Sequence, residues 1–322
     1  MNIFKTVDLF EKPSDILTNL HGVRTTEMTD SERGFLCGLI QKYRPQKIVE
    51  VGVAEGGTTA VMLSCIHEIS LACEMYSIDL SQQYYGDPTK ETGWILKEAA
   101  RNNPDKIDLS RHHLLLGDVL PSYLEEIGKG IDFLLLDTTH IMPGEVLDFI
   151  AAFPYLSSSA IVVLHDVKWN YLGKVPSAIA TTALFQSVVA EKFLNNQESY
   201  PNIAAFRLNG DTEKYMCNVF TALMTTWSYL PEDRHLDKYY HLVEKCYPLE
   251  YMRIYLQAIQ EAKQFFAAPV NDRFYSNYST ARRFADWILP KGSRRREFAK
   301  FILPKNSLRW KFCKGVYNII RF

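Results

Sequence analysis

The sequence predicts an α/β fold built on a doubly wound, mostly parallel sheet, and three observations carry that prediction. The stretch Lys47-Ile48-Val49-Glu50-Val51-Gly52-Val53-Ala54-Glu55-Gly56-Gly57-Thr58-Thr59 reads as a buried β-branched strand, a glycine turn and the opening of a helix. From about residue 29 to residue 170, short apolar runs alternate with amphipathic segments, the pattern of successive βα units joined by right-handed crossovers. The later runs close on polar residues, at Asp79, Gly117-Asp118, Asp137 and His165-Asp166. Open α/β sheets bind ligands outside the carboxyl ends of their strands, so one face of the domain is expected to collect these groups beside the glycine turn.

Taken in order, residues 1–28 have weak periodicity and are expected to wrap the domain or pack in a dimer. Thr29 or Asp30 can cap a helix with Phe35, Leu36, Leu39 and Ile40 on one face, and Pro45 ends it before the first strand. Thr58 and Thr59 open the next helix, which carries Val61, Met62, Leu63 and Ile66; its free N–H groups would face whatever sits over the turn. A strand over 75–79, a helix over 89–103 with Trp94, Ile95 and Leu96, and a strand over 114–116 follow. A helix over 123–127, a strand over 131–136, a helix over 145–153 and a strand over 160–164 complete the alternation. Beyond Asp166 the pattern predicts a helix over 177–193 and a strand over 203–208 that closes the sheet. Residues 212–266 place Phe220, Trp227, Tyr239, Tyr240 and Tyr255 on helical spacing, and such a face is more often core than ligand platform. The expected organisation is an N-terminal segment (1–28), the sheet domain (29–210), a C-terminal helical annex (211–280) and a basic amphipathic tail (281–322).

Composition sets outer limits on function. With 47% hydrophobic and 23% charged residues the chain is an ordinary globular protein. No apolar run approaches the roughly 18 residues of a membrane span. The start does not read as a signal peptide, so a cytoplasmic location is expected. The cysteines, at 37, 65, 73, 217, 246 and 313, have no zinc spacing and read as reduced thiols. A net charge of −1 hides an asymmetry: residues 281–322 carry +10, which leaves −11 for residues 1–280. Body and tail are therefore expected to have different partners.

Spacing separates three readings of the glycine turn. A P-loop needs Lys after its last glycine, and Thr58 stands there. A dinucleotide fingerprint needs glycine at its third place, and Ala54 stands there, which argues against a dinucleotide-dependent oxidoreductase. The pattern that remains is Glu-x-Gly-x-x-x-Gly-Gly, over Glu50, Gly52, Gly56 and Gly57. It resembles motif I of the class I S-adenosylmethionine (SAM)-dependent methyltransferases. With Asp79, Asp118, Asp137-Thr138-Thr139-His140 and His165-Asp166 in sequence, the likeness narrows to the macrocin and mycinamicin sugar O-methyltransferases and the cephalosporin-hydroxylase-like proteins, over about residues 25–170.

The resemblance implies a Rossmann-like methyltransferase sheet and a set of roles. Glu50, Gly52, Gly56, Gly57 and Thr58 would cradle the methionine end of SAM, Asp79 would hold its ribose, and Asp118 would lie by the adenine. Asp137 would ligate magnesium, with further ligands from His165 and Asp166, and His140 would be the base. The family usually has two acids at 165–166; histidine at the first is a poor magnesium ligand by softness. Methyl transfer to a hydroxyl needs a nearly deprotonated oxygen in line with the methyl group, which suits a base and a cation beside the cofactor. The expected activity is SAM-dependent O-methyl transfer to a sugar or glycan-type acceptor; a SAM-binding regulatory module is the alternative.

The tail interleaves twelve Lys and Arg residues with Phe298, Trp310, Phe312, Tyr317 and Phe322. That pattern suits peripheral contact with an anionic membrane, or docking on the acidic body or on a second copy in a homo-oligomer. No reader motif points to nucleic acid.

Overall fold

A computed structural model describes Lys5 and residues 27–195 and 198–268. The expected basic tail (281–322) and nearly all of the N-terminal segment (1–28) lie outside the described residues. Described residues up to Ala262 belong to one compact unit; of the second unit, 263–322, only 263–268 are described.

Helix α1, Asp30–Tyr43, starts at a reciprocal cap in which Thr29 Oγ1 accepts the Glu32 N–H at 3.3 Å and Glu32 Oε2 accepts the Thr29 N–H at 2.7 Å. It buries Phe35, Leu36, Leu39 and Ile40. Strand β1, Lys47–Val51, then runs into the glycine turn and α2, Gly57–Glu68. The alternation continues through β2 (Glu74–Asp79), α3 (Trp94–Asn102), β3 (His112–Leu116), α4 (Leu124–Ile127), β4 (Ile131–Leu136), α5 (Gly144–Ala152) and β5 (Leu156–Leu164). After β5 come α6 (Trp169–Leu172), α7 (Ala180–Ser187), β6 (Glu191–Leu194) and β7 (Ala204–Arg207).

The sheet has seven strands in the order β3-β2-β1-β4-β5-β7-β6. Strands β1 to β5 are parallel, and β7 runs antiparallel to both β5 and β6, as an α/β doubly wound, mostly parallel fold requires. Val51 pairs with Ile78 on one side and Leu136 on the other, so β1, β2 and β4 end level and bring Gly52, Asp79 and Asp137 into one row. Strand order reverses between β1 and β4, and the crevice opens at that point.

Two elements differ from expectation. The helix expected over 177–193 ends at Ser187: Val188 turns extended (ψ 130°), and β6 follows with Phe193 wholly buried, so the edge strand is β6 and not the segment around 203–208. Burial of Phe193 and pairing with β7 decide the conformation there over local propensity. The helix expected from residue 89 starts at Trp94, because Asp87 Oδ1 accepts the N–H and hydroxyl of Thr89 in a local turn. Beyond the sheet lie α8 (Gly210–Lys214), α9 (Met216–Ala222), α10 (Asp233–Cys246) and α11 (Leu249–Ala267), with α9 packed on α5 and α7 and α10 on α5. Among the described residues no helix is long and apolar enough to cross a membrane.

Candidate active site

The glycine turn is shaped by what it crosses. Gly52 has φ +97°, and a Cβ there would stand 1.8 Å from the Asp137 carbonyl oxygen; at Gly56, φ +88°, it would meet the Gly93 Cα at 2.9 Å. Neither position admits a side chain, so the turn backbone lies flat against the end of β4 and leaves the space above it open. Asp79 fixes the same turn, its Oδ2 accepting the N–H groups of Val53 (2.9 Å) and Ala54 (3.1 Å).

That space is a cavity of about 1140 Å³. Gly52, Gly57, Thr58, Asp79 and Asp118 line it on the glycine-turn side; Asp137, His140, His165 and Asp166 line it at the ends of β4 and β5. Two expected cofactor residues are not on its wall. Gly56 is the packing point just described, and Glu50 lies wholly buried beneath the turn, its Oε2 accepting the hydroxyls of Thr59 (2.7 Å) and Ser77 (2.6 Å). Glu50 thus braces β1 against α2 and β2; burial raises its carboxyl to about 8 despite those two bonds. The remaining arrangement fits SAM: backbone with no Cβ under the methionine end, and a carboxylate at the end of β2 within the cavity. Asp118 is engaged by Lys238 of α10, which also donates to Ser122 Oγ at 2.9 Å. Burial would raise Asp118, but the Lys238 contact and the Val119 N–H hold it below the usual carboxylate range.

The second half of the site is a histidine–carboxylate cluster. His165 Nδ1 donates to Asp137 Oδ1 at 3.0 Å, and its Nε2 lies 3.6 Å from Glu32 Oε1 at the start of α1. His140 Nε2 stands 3.3 Å from Asp166 Oδ2 and 3.6 Å from Asp137 Oδ1, while Nδ1 is 3.2 Å from Glu145 Oε1. Asn202 Nδ2 donates to Asp166 Oδ1. Burial opposes charge on both rings, yet the surrounding carboxylates outweigh it and raise both, His165 well above its ordinary value. Asp137 is held low by the two rings against its own burial, whereas burial raises Asp166. His140 and Asp166 both take left-handed backbone, φ +59° and +57°, a strained state for residues other than glycine that recurs at functional sites.

Magnesium does not fit this donor set. Among the described residues no group of three or more His, Cys, Asp or Glu side chains is placed to hold a metal ion. Asp137 Oδ1 already accepts the His165 Nδ1–H, Asp166 Oδ1 accepts the Asn202 amide, and the His140 ring stands 3.3 Å from Asp166 Oδ2. The expected magnesium set of Asp137, His165 and Asp166 is therefore corrected to a hydrogen-bonded cluster, because the imidazole that spoils the hard-oxygen set also satisfies Asp137.

Sequence reasoning missed several wall and support residues. Glu32 was legible only as the fourth residue of a Thr-x-x-Glu capping box. Asn202 and Lys238 reach the site over long stretches of chain and leave no local signal, while Glu145 lies only five residues beyond His140, in the first turn of the next helix. Trp169 lines the cavity with its ring edge-on to His140, centroids 5.3 Å apart, and Tyr229 and Tyr239 close the wall from the annex.

Residues 49–167 match the model of a family described as a methyltransferase domain. No curated protein matches the chain. Among solved structures it is similar to the O-methyltransferase TomG of tomaymycin synthesis from Streptomyces achromogenes in complex with SAM, at 14% identity and TM-score 0.44 over 63% of this chain and 92% of that one. It is similar also to an O-methyltransferase from Bacillus cereus in complex with SAH, at 13% and 0.40 over 61% and 90%. A third is the TDP-rhamnose 3'-O-methyltransferase of calicheamicin biosynthesis, at 16% and 0.40 over 62% and 92%. At that level of likeness neither acceptor nor metal transfers to this chain. The stretch that holds the glycine turn and the carboxylates at the strand ends, residues 49–167, is thus the stretch that matches a methyltransferase domain.

Proposed function

We propose that the chain is an O-methyltransferase that acts on a hydroxyl of a sugar or glycan-type acceptor, with His140 taking the hydroxyl proton. The observation that carries this reading is a single cavity lined both by the cofactor-side residues Gly52 and Asp79 and by His140. Its volume of about 1140 Å³ exceeds the roughly 300–1,000 Å³ of a pocket for one drug-sized ligand, which leaves room for cofactor and acceptor together. SAM, when bound, supplies an electrophilic methyl group on sulfur. The protein's part is to hold the acceptor oxygen in line with it and to accept a proton. His140 Nδ1 lies 3.2 Å from Glu145, and its Nε2, when unprotonated, would take the proton, with Asp166 at 3.3 Å and Asp137 at 3.6 Å to balance the imidazolium formed.

Trp169, Tyr229 and Tyr239 bring aromatic rings to the wall, and Asp148, which accepts the Tyr239 hydroxyl, and His235 bring polar side chains to it, a mixture suited to a polyhydroxylated ring. The glycan reading extends to peripheral contact of the basic tail with an anionic membrane, where a glycan under assembly would be met. Metal assistance is not part of this reading.

The test is transfer of labelled methyl from SAM to nucleotide sugars and glycan fragments, run beside phenolic acceptors, with calorimetry for SAM and NAD. Label on sugar hydroxyls and binding of SAM over NAD are expected. Transfer to phenols alone would sink the sugar acceptor, and tighter NAD binding would sink the transferase.

A further inference from the structure

The cluster at the ends of β4 and β5 holds a histidine where the resembled enzymes are expected to hold an acid. His165 is 3% exposed; its Nδ1 meets Asp137 Oδ1 at 3.0 Å, while its buried Nε2 makes no hydrogen bond among the described residues and lies 3.6 Å from Glu32 Oε1, at ion-pair distance. Glu32 cannot move away freely, because its other oxygen closes the cap of α1 on the Thr29 N–H at 2.7 Å. His140 Nε2 faces Asp137 and Asp166 from the cavity side, and Asn202 holds the second oxygen of Asp166. Magnesium demands oxygens at about 2.0–2.1 Å in an octahedron. Here the approach to Asp137 Oδ1 is taken by an N–H from His165, with the His140 ring next to it.

On the transferase reading above, we propose that His165 stands in the place of a divalent ion: its Nδ1–H occupies and orients Asp137 from within a buried pocket that Glu32 helps to close, and the site works without metal. His165 is thus a positioning residue, acting through Asp137, and α1 is part of the site because its first turn delivers Glu32.

The test is electron paramagnetic resonance of Mn²⁺, an ion that accepts magnesium's oxygen sites, added to the full chain saturated with S-adenosylhomocysteine (SAH). Wild type is expected to leave the free-ion signal as it is in buffer. His165→Asp, which restores adjacent acids, is expected to take up one Mn²⁺ per chain, and adding Asp137→Asn to that variant is expected to abolish the uptake. Stoichiometric uptake by wild type that Asp137→Asn removes overturns the proposal. If His165→Asp does not fold, wild type still decides through melting of its SAH complex: no shift with millimolar Mg²⁺ is expected, and an Asp137-dependent rise of several degrees overturns it. Calorimetry of SAH judges the transferase reading separately, and the ion measurements are repeated without SAH so that failure to bind SAH leaves the metal result readable.

Discussion

Glu145, wholly buried in the first turn of α5, accepts the backbone N–H of His140 at 2.6 Å and stands 3.2 Å from that residue's Nδ1. One carboxylate therefore holds the left-handed backbone of the proposed base and places its charge beside the ring, and it also accepts the Thr138 hydroxyl at 2.9 Å. Replacing His140 by Ala is expected to lower kcat by about 10²-fold or more, the usual worth of a positioned base. Glu145→Gln keeps the acceptor oxygen for the backbone N–H but not the charge at Nδ1, so a smaller loss in kcat is expected. SAM affinity should be unchanged in both. A near-normal rate for His140→Ala, measured with labelled SAM, would remove the base from the mechanism.

Gly52→Ala tests the turn. The added Cβ would overlap the Asp137 carbonyl at 1.8 Å, and φ +97° is closed to alanine, so β1 and β4 must part or the turn must rebuild. The expected outcome is loss of SAH binding by calorimetry together with a fall in Tm. Gly56→Ala, whose Cβ would meet Gly93 at 2.9 Å, should cost less. Unaltered SAH affinity in Gly52→Ala would show that the turn does not set the cofactor site.

These two sites differ in how openly the sequence announces them. Gly52 and Gly56 were legible because left-handed backbone and close approach leave glycine as the residue that fits, and Asp79 and Asp137 because parallel strands end together. The hairpin of β6 and β7 was not, since Phe193 fits a helix face as well as a strand until its burial is known. Nor was the Glu32–His165 contact: residues so far apart in sequence meet because the fold brings the first turn of α1 to the end of β5, and nothing local records it. The place of Glu50 was hidden for a related reason, since strand alternation does not tell a brace under the turn from a group above it.

Glu50 carries a pH prediction. Its folded-state value of about 8 lies above the ordinary 4.5 because burial penalises the carboxylate. A raised carboxyl stabilises the fold relative to the ionised state only while protonated: its contribution is whole below 4.5 and is lost as pH rises through about 8. The slope is at most about 1.4 kcal/mol per pH unit. Glu50→Gln should therefore gain on wild type in Tm as pH goes from 5 to 8.5, by calorimetry without cofactor. Parallel curves for the two proteins would show that Glu50 is ionised in the fold.

The tail is tested through its charge. Twelve basic residues among aromatic ones should bind anionic vesicles at low salt and release them at high salt, since screening shortens with ionic strength. Sedimentation of the full chain and of a chain ending at Ala281 is expected to show binding only for the former. If the full chain ignores anionic vesicles and the shorter one changes oligomeric state, the tail is an assembly arm.

Lys238 and Asp118 join the annex helix α10 to the end of β3, with side chains 37% and 27% exposed. A pair so exposed is worth roughly 0–1 kcal/mol to the fold. Its effect belongs to the cofactor site, because Asp118 lines the cavity and its other oxygen is held by the Val119 N–H at 2.8 Å. Lys238→Ala leaves Asp118 without its cation and free to turn away. The expected result is SAH binding weakened by several-fold, about 1 kcal/mol, with Tm nearly unchanged. Asp118→Asn should weaken binding comparably, and the double variant should add little to either, since both remove one contact. Additive losses would place Lys238 on the cofactor by a path of its own, and a fall in Tm without a change in affinity would make the pair structural.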